Sequence, residues 1–434
     1  MADSAAAAAV HSAADALALK RRTLTLTLLT LTYFFSYMDR QILAILQELI
    51  KADLQLSDTQ LGLLGGFAFA VFYATLGIPA ARLADRGNRK RLVAIALALW
   101  SAMTAMAGLA QNFLQLLLAR IGVGIGEAGS SPPSHSMIAD LYPPEKRAGA
   151  MAVYSLGVVL GAAFGTIIGG TVANYFGWRA AMFAVGLPGL VLAVLVWLFV
   201  VEPRRGLSDA ARAAEQHDAI PPLGVGFASL WRNPAARHLV AAVTLTSMIG
   251  YGLTHWGPSF MIRTLGVDIL TISLIVAPIG GICGTISAVG GGKLADRLAG
   301  RHGLHAQSWM VAVLKIVALP FALAFYLVPI PAVAIGLYFV AVLFQNSYLG
   351  PTFALIQGLA PVRLRALWAA ITLLVINLIG LGLGPTLIGV ISDSLRPSLG
   401  EAEALRWAMF VFGAITPWAI FHYWRAGVLL KRAA

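Results

Sequence analysis

"ARLADRGNRKR" at 81–91 and "GKLADRLAGRH" at 292–302 are two versions of one loop. Each follows a long apolar run, 60–81 in the first case and 267–292 in the second. Each places Leu-Ala-Asp-Arg where the run ends and basic residues begin. A chain that repeats such a loop at matching positions is built from two like halves. Parallel repeats of membrane helices around a central cavity are a transporter architecture.

The rest of the sequence agrees. The chain has 434 residues, of which 59% are hydrophobic and 12% charged. A soluble protein of this length needs far more charge to cover its surface. Apolar runs of about 20 residues recur along it, as a bilayer requires. Backbone groups in lipid must be paired within the segment or within a closed barrel. These runs are continuous and lack ten-residue alternation, so they predict helices.

Twelve spans are predicted, near 24–49, 60–81, 91–110, 112–139, 148–174, 178–200, 237–262, 267–292, 306–327, 331–358, 365–392 and 403–424. The expected fold is an all-α membrane protein with two six-helix bundles around a central cavity. The bundles cover 23–201 and 237–426. A linker at 202–236 contains "EPRRGLSDAARAAEQHDAIPP", and short tails lie at 1–22 and 427–434. No cleavable leader is expected, because the start has no apolar core long enough before Lys20, Arg21 and Arg22. The one cysteine, Cys283, cannot form an internal disulfide.

The net charge of +12 is a matter of topology. Most of the 31 Lys and Arg residues fall in the tails and in alternate loops, which predicts both termini in the cytoplasm. Nucleic acid is not an expected partner. No cluster of metal ligands and no nucleophile–base arrangement is seen, so neither an enzyme nor a cofactor is expected. The protein is expected to be a monomer.

Charges inside the spans carry the functional reading. In "YFFSYMDRQILAIL" (33–46), Asp39 and Arg40 interrupt an apolar run. At roughly 100° per residue, Gln47, Ser36, Thr25 and Thr32 fall between Arg40 and Asp39 on one polar stripe. Such a stripe fits a helix lining a cavity rather than one facing lipid alone. In "ARIGVGIGEAGSSPP", Arg120 and Glu127 are seven residues apart and share a face.

Ionisable groups at bilayer depth are costly and mark functional sites by default. The competing reading is a structural ion pair that fixes helix register. Burial favours a neutral carboxyl, while a nearby arginine favours the ionised form. A carboxylate that gains and loses an arginine contact would therefore lose and gain a proton. Asp39 and Glu127 are the candidate proton carriers. Arg40, Arg120 and Ser36 are candidate substrate contacts, with His255, Asn346 and Asn377 from the second half. Lys315 has a stem long enough to snorkel toward the interface.

"GIGEAG" also matches a dinucleotide-binding fingerprint, but it lacks the strand–turn–helix context and lies in a membrane span. Gly122, Gly124 and Gly126 there, and Gly157, Gly161, Gly165 and Gly169 in the next span, read as surfaces for close helix packing. In the two repeated loops, Asp85, Arg86, Arg89, Asp296 and Arg297 are the expected conformational latch.

These motifs resemble the major facilitator superfamily over nearly the whole chain. "LADRGNRKR" is similar to its loop 2–3 signature, with Ala81 and Asn88 where glycine is usual. "RIGVGIG" resembles its span 4 signature. The span 5 stretch resembles the antiporter signature, but Thr166 stands where that motif has proline. "YMDRQ" and "RIGVGIGEAGSSPPSHSMIADLYP" resemble the spinster subfamily more narrowly, with Gln41 in place of the tyrosine after Asp-Arg. The resemblance implies alternating-access transport of a lysolipid or sphingosine-1-phosphate in a bacterial inner membrane. Protons would be taken by Asp39 and Glu127, and Arg40 would touch Glu127 or an anionic head group. Two alternatives stay open: a carrier of a small organic anion or drug, and a lipid scramblase or non-transporting receptor.

Overall fold

The computed structural model describes residues 13–208 and 222–433. Most of the expected N-terminal tail, the middle of the expected linker and the last residue lie outside the described residues. Among those described, regular structure is helical. A helix falls in every one of the predicted spans.

Local chemistry sets the starts. Helix α1 covers Arg22–Leu54 and is followed by α2 (Asp58–Gly65) and α3 (Phe67–Arg86). Ser57 opens α2 with a capping box: its hydroxyl accepts from the Gln60 N–H, and the Gln60 carboxamide accepts from the Ser57 N–H. Asparagines start α4 (Arg89–Ala107) and α5 (Phe113–Ala128), since Asn88 and Asn112 accept from Arg91 and Gln115 N–H groups. Helix α6 (Ser131–Leu141) continues the fourth span after a break at 129–130.

Helix α7, Pro144–Phe199, is two spans joined at Gly177. That residue has φ 82° and ψ 165°, a conformation open to glycine and strained for other residues. The first limb packs on α1 through the predicted glycine stripe. A β-carbon on Gly157 would lie 2.7 Å from the Thr30 carbonyl oxygen, and one on Gly165 2.6 Å from that of Met38. One on Gly161 would collide with the Phe34 carbonyl. The second limb packs on α4, where Gly186 meets the backbone of Ser101 and Ala105. Small residues let these backbones approach where lipid supplies no hydrophobic drive.

In the second half, α8 (Leu223–Arg232) leads to α9 (Pro234–Arg263), which Asn233 caps. A five-residue wide turn at Ile272–Val276 precedes α10 (Ala277–His302). Then come α11 (His305–Leu327), α12 (Pro331–Gln345) and α13 (Leu349–Leu359). Helix α14 (Arg365–Val375) runs through a second wide turn, Ile376–Leu381, into α15 (Gly382–Leu399). Pro385 lies just beyond that turn and has no N–H for the Leu381 carbonyl, so the helix is loosened where it would otherwise clash. Helices α16 (Glu401–Gly413) and α17 (Thr416–Ala433) end the chain.

Eight described helical stretches are long and apolar enough to cross a membrane, with the folded-back α7 counted once. Large aliphatic side chains such as Val191, Ile282 and Leu109 are exposed, as a lipid-facing surface requires. The chain divides into two compact units, one of residues 1–46 and 71–219 and the other of 47–70 and 220–434. The hairpin 47–70, which the sequence assigns to the first bundle, packs inside the second unit. Gly62 lies against the Pro385 carbonyl, and Gly389 against the Asp58 carbonyl. The core of the second unit is formed by residues such as Leu239, Val243, Val311, Ile356, Trp368 and Tyr423.

Candidate functional site

In the first unit, α1 and α5 bring two acid–arginine pairs together. The Arg40 guanidinium donates through Nε and Nη2 to Glu127 Oε2 at 2.8 and 2.7 Å. The Ser36 hydroxyl donates to the same oxygen at 2.8 Å. Ser36 and Arg40 are one helical turn apart, so both reach one carboxylate from the same face. Glu127 is 1% exposed, and its second oxygen, Oε1, is buried without a hydrogen-bond partner. Asp39 points to a different set: Arg120 Nη1 donates to its Oδ1 at 2.9 Å, and the Thr104 hydroxyl donates to its Oδ2. Asp39 and Arg120 are also buried.

Thus the two charges adjacent in sequence do not pair with each other. Each pairs with a partner on α5, and the pairing is crossed: the acid of α1 with the arginine of α5, and the reverse. Arg40 also lies over two rings, 4.9 Å from the Tyr37 centroid and 4.6 Å from that of Tyr73. These faces attract a cation and hold the guanidinium flat. Tyr33 stacks on Tyr154 with centroids 4.5 Å apart and meets Tyr37 edge-on at 5.2 Å. The site therefore combines buried charge with an aromatic wall. It sets a guanidinium and a carboxylate side by side with apolar ring faces.

Sequence reading did not find Thr104, Tyr37 or Tyr73. Tyr37 was legible, because it precedes Arg40 by three residues on one helix face. Thr104 and Tyr73 come from other helices and carried no such signal.

The second-half candidates lie in the second unit. His255 is buried, meets Trp256 edge-on at 6.0 Å and lies against Gly65. Asn346 sits at the break between α12 and α13, its N–H donating to Ser287 Oγ at 3.1 Å and its amide lying against Gly284. Asn377 is half-buried in the second wide turn. Lys315 does not snorkel: it is 6% exposed, and its ammonium lies 4.9 Å over the Tyr348 ring. The fixed position follows from α11 presenting Lys315 inward onto the Tyr348 ring, whose hydroxyl is 3.3 Å from Ser247 Oγ.

Of the expected latch residues, Arg89 is fully buried. It donates to Glu202 at 2.7 Å, to Ser136 at 2.8 Å, to the Pro203 carbonyl at 2.6 Å, and to Asp140. The Lys90 N–H donates to the other Glu202 oxygen at 2.8 Å. Asp85, Arg86, Asp296 and Arg297 are exposed, and no ion pair joins them among the described residues. Asp140 and Glu202 are the acids that sequence reading missed.

A further ionic cluster fixes the hairpin 47–70 in the second unit. Arg263 donates to Glu48 at 2.8 Å and to Asp58 at 2.7 Å. Lys51 binds Asp58 at 2.7 Å and also Glu401. Ser392 donates to Asp58 at 2.6 Å, and Asp393 accepts from the Asp58 and Thr59 N–H groups at the start of α2. That last contact places a carboxylate at the positive end of the helix.

Two bundle-type repeats, glycine-packed helices and buried charge on the first and fourth spans define a class of membrane carrier. The family model described as Major Facilitator Superfamily matches residues 29–385, and the chain belongs to that superfamily. It is 34% identical over 397 residues to an MFS-type efflux pump of Mycolicibacterium smegmatis (strain ATCC 700084 / mc(2)155), covering 92% of this chain and 90% of that one. It is 28% identical to human protein spinster homolog 1, covering 87% of this chain and 75% of the relative. The structure is similar, with a TM-score of 0.84 and 28% identity, to a bacterial homologue of the human lysosomal transporter spinster solved in an inward-facing, unoccupied conformation. That match covers 95% of this chain and 98% of the other. The chain is thus a multi-pass membrane transporter of the spinster type.

Proposed function

We propose that this transporter is proton-coupled and carries an amphiphilic anion, such as a lysophospholipid or sphingosine-1-phosphate, by alternating access in a bacterial inner membrane with both termini cytoplasmic. The observation that carries the reading is the Glu127 carboxylate. One oxygen is held by Arg40 and Ser36, and the other is buried without a partner. Such a group is poised between two conditions. Arg40 faces it as a counter-charge. When an anionic head group takes Arg40, the buried carboxylate is left uncompensated and takes a proton at Oε1. Substrate and proton then bind together or exchange, by linkage through one arginine. Asp39 and Arg120 form a second pair of the same kind, and the tyrosines supply an apolar wall for the tail.

The test is uptake into proteoliposomes containing the purified protein. A labelled lysophospholipid, sphingosine-1-phosphate and a small organic acid are compared with and without an imposed pH gradient. Gradient-driven movement of the lipids supports the proposal. Movement of the small acid alone favours a small-anion carrier. Equal passive movement of lipids in both directions, unaffected by the gradient, points to a scramblase.

A further inference from the structure

A groove lies on the lipid-facing side of the second unit, between α11 and α17. Its volume is about 560 Å³, and its walls include Trp309, Val313, Ile316, Pro417, Phe421 and Trp424. Ionisable side chains are missing from its lining. The two helices run antiparallel here, with Trp309 beside Trp424: the Trp309 indole N–H donates to the Trp424 carbonyl at 3.2 Å. From that level to Ile316 the groove is roughly 10 Å long at 1.5 Å per residue.

Its Trp309 end is basic. The Lys431 ammonium lies 5.5 Å over the Trp309 ring, and the His305 ring meets the same indole edge-on at 5.0 Å. Helix α17 carries Arg425, Lys431 and Arg432 and no acid. Lys431 is exposed, so its charge is available beyond the ring. The indole is held in place by the absence of a side chain: a β-carbon on Gly427 would fall on Trp309 Nε1. An apolar slot one turn inside a tryptophan, with cations just outside it, has the order of groups found in one lipid molecule. Tryptophan marks the membrane–water interface, the slot lies deeper, and the cations lie at head-group level.

We propose that this groove is a binding site for an anionic phospholipid of the surrounding bilayer. An acyl chain lies along Trp424, Phe421 and Ile316, and the phosphate meets Lys431 beside His305. The charge of the rim decides between occupants. A neutral lipid would leave Lys431 without an anion, a zwitterionic one would set its own cation beside Lys431 along with its phosphate, and a second copy of this chain would bring another basic α17 to the same place. The site is distinct from the transport site and does not depend on what is transported.

The test uses the full chain, purified in detergent and observed by native mass spectrometry with palmitoyl-oleoyl phosphatidylglycerol or phosphatidylcholine added. The wild type is expected to retain phosphatidylglycerol in preference. Lys431→Gln, at an exposed position that leaves the fold alone, is expected to lower that preference about fivefold, which corresponds to about 1 kcal/mol per basic residue near a lipid surface. Gly427→Ala displaces the Trp309 indole and is expected to lower retention of both lipids. Equal retention of the two lipids by the wild type would overturn the proposal, as would an unchanged preference in Lys431→Gln. A dimer that forms without lipid and is broken by Gly427→Ala would assign the groove to a second copy instead.

Discussion

Replacing Glu127 by glutamine changes one oxygen to an amide and leaves the size almost unchanged. The carboxylate accepts three hydrogen bonds at Oε2, from Ser36 at 2.8 Å and from Arg40 at 2.8 and 2.7 Å. The two from Arg40 join opposite charges, and glutamine keeps an acceptor for the ionised guanidinium but removes the counter-charge. The loss is therefore about 1–3 kcal/mol, the cost of leaving a buried group imperfectly satisfied, partly offset by the faces of Tyr37 and Tyr73, which still attract the guanidinium. Truncation by Glu127→Ala leaves Arg40 with no acceptor there and costs about 3–5 kcal/mol. Thermal melting in detergent should rank wild type above Glu127→Gln, and that above Glu127→Ala. Transport should respond more sharply than stability. Glutamine cannot take up a proton, so the part of uptake driven by an imposed pH gradient should vanish while lipid binding survives. Fluorescent-lipid uptake into proteoliposomes reads the first, and tryptophan quenching by a brominated lysolipid reads the second. If folded Glu127→Gln protein keeps the wild-type response to the gradient, Glu127 is not the coupling acid, and Asp39, with its own arginine, takes the role.

Gly161→Ala should destabilise the protein by about 1–3 kcal/mol, since its β-carbon meets the Phe34 carbonyl on α1, and melting in detergent checks this. Arg89→Ala strips Glu202 and Asp140 of a buried partner and should cost about 3–5 kcal/mol, whereas Asp85→Asn, at an exposed position, should fall within about 0.5 kcal/mol of wild type. Spin labels on the repeated loops would then show a changed distance distribution for Arg89→Ala and an unchanged one for Asp85→Asn. Arg263→Met removes the cation that Glu48 and Asp58 share, leaving Lys51 on Asp58, and limited proteolysis should cut the hairpin 47–70 faster than in wild type.

The spans were legible because a membrane helix is a long apolar run with few exceptions, and because the repeated loops fixed how the runs are grouped. The glycine stripe was legible for the same reason, since a period of four puts all its members on one face. The exceptions were harder. Asp39 and Arg40 stood out as charges in lipid, and Arg120 and Glu127 as their counterparts. The contact of Arg40 with Glu127 was expected from the resemblance, but its counterpart, Asp39 with Arg120, was not readable, since it depends on the rotation of α1 against α5. The partners of Arg89 show a different limit. Its acids, Asp140 and Glu202, sit at loop edges where charge is ordinary, and nothing local distinguishes them from Asp85, which the repeat made conspicuous. The hairpin 47–70 failed to announce its packing because Lys51, Asp58 and Arg263 are each unremarkable alone. Lys315 misled through its own length: a long stem permits snorkelling but does not compel it when an aromatic face lies inward.

The wide turn at Ile376–Leu381 has a consequence for how this chain tolerates change in length. Such a turn is an α-helix carrying one residue more than its pitch requires. Elsewhere in a span, losing one residue turns everything beyond it by about 100°. That would carry glycines away from the backbones they admit and push lipid-facing side chains inward. Between Ile376 and Leu381 the same loss would be absorbed. The surplus would disappear, regular pitch would return, and Gly384, Gly389 and Ser392 would keep the faces they now present. Single-residue gaps in this span among related chains should therefore collect at this turn, and an alignment that scatters them along the helix would be misplacing them.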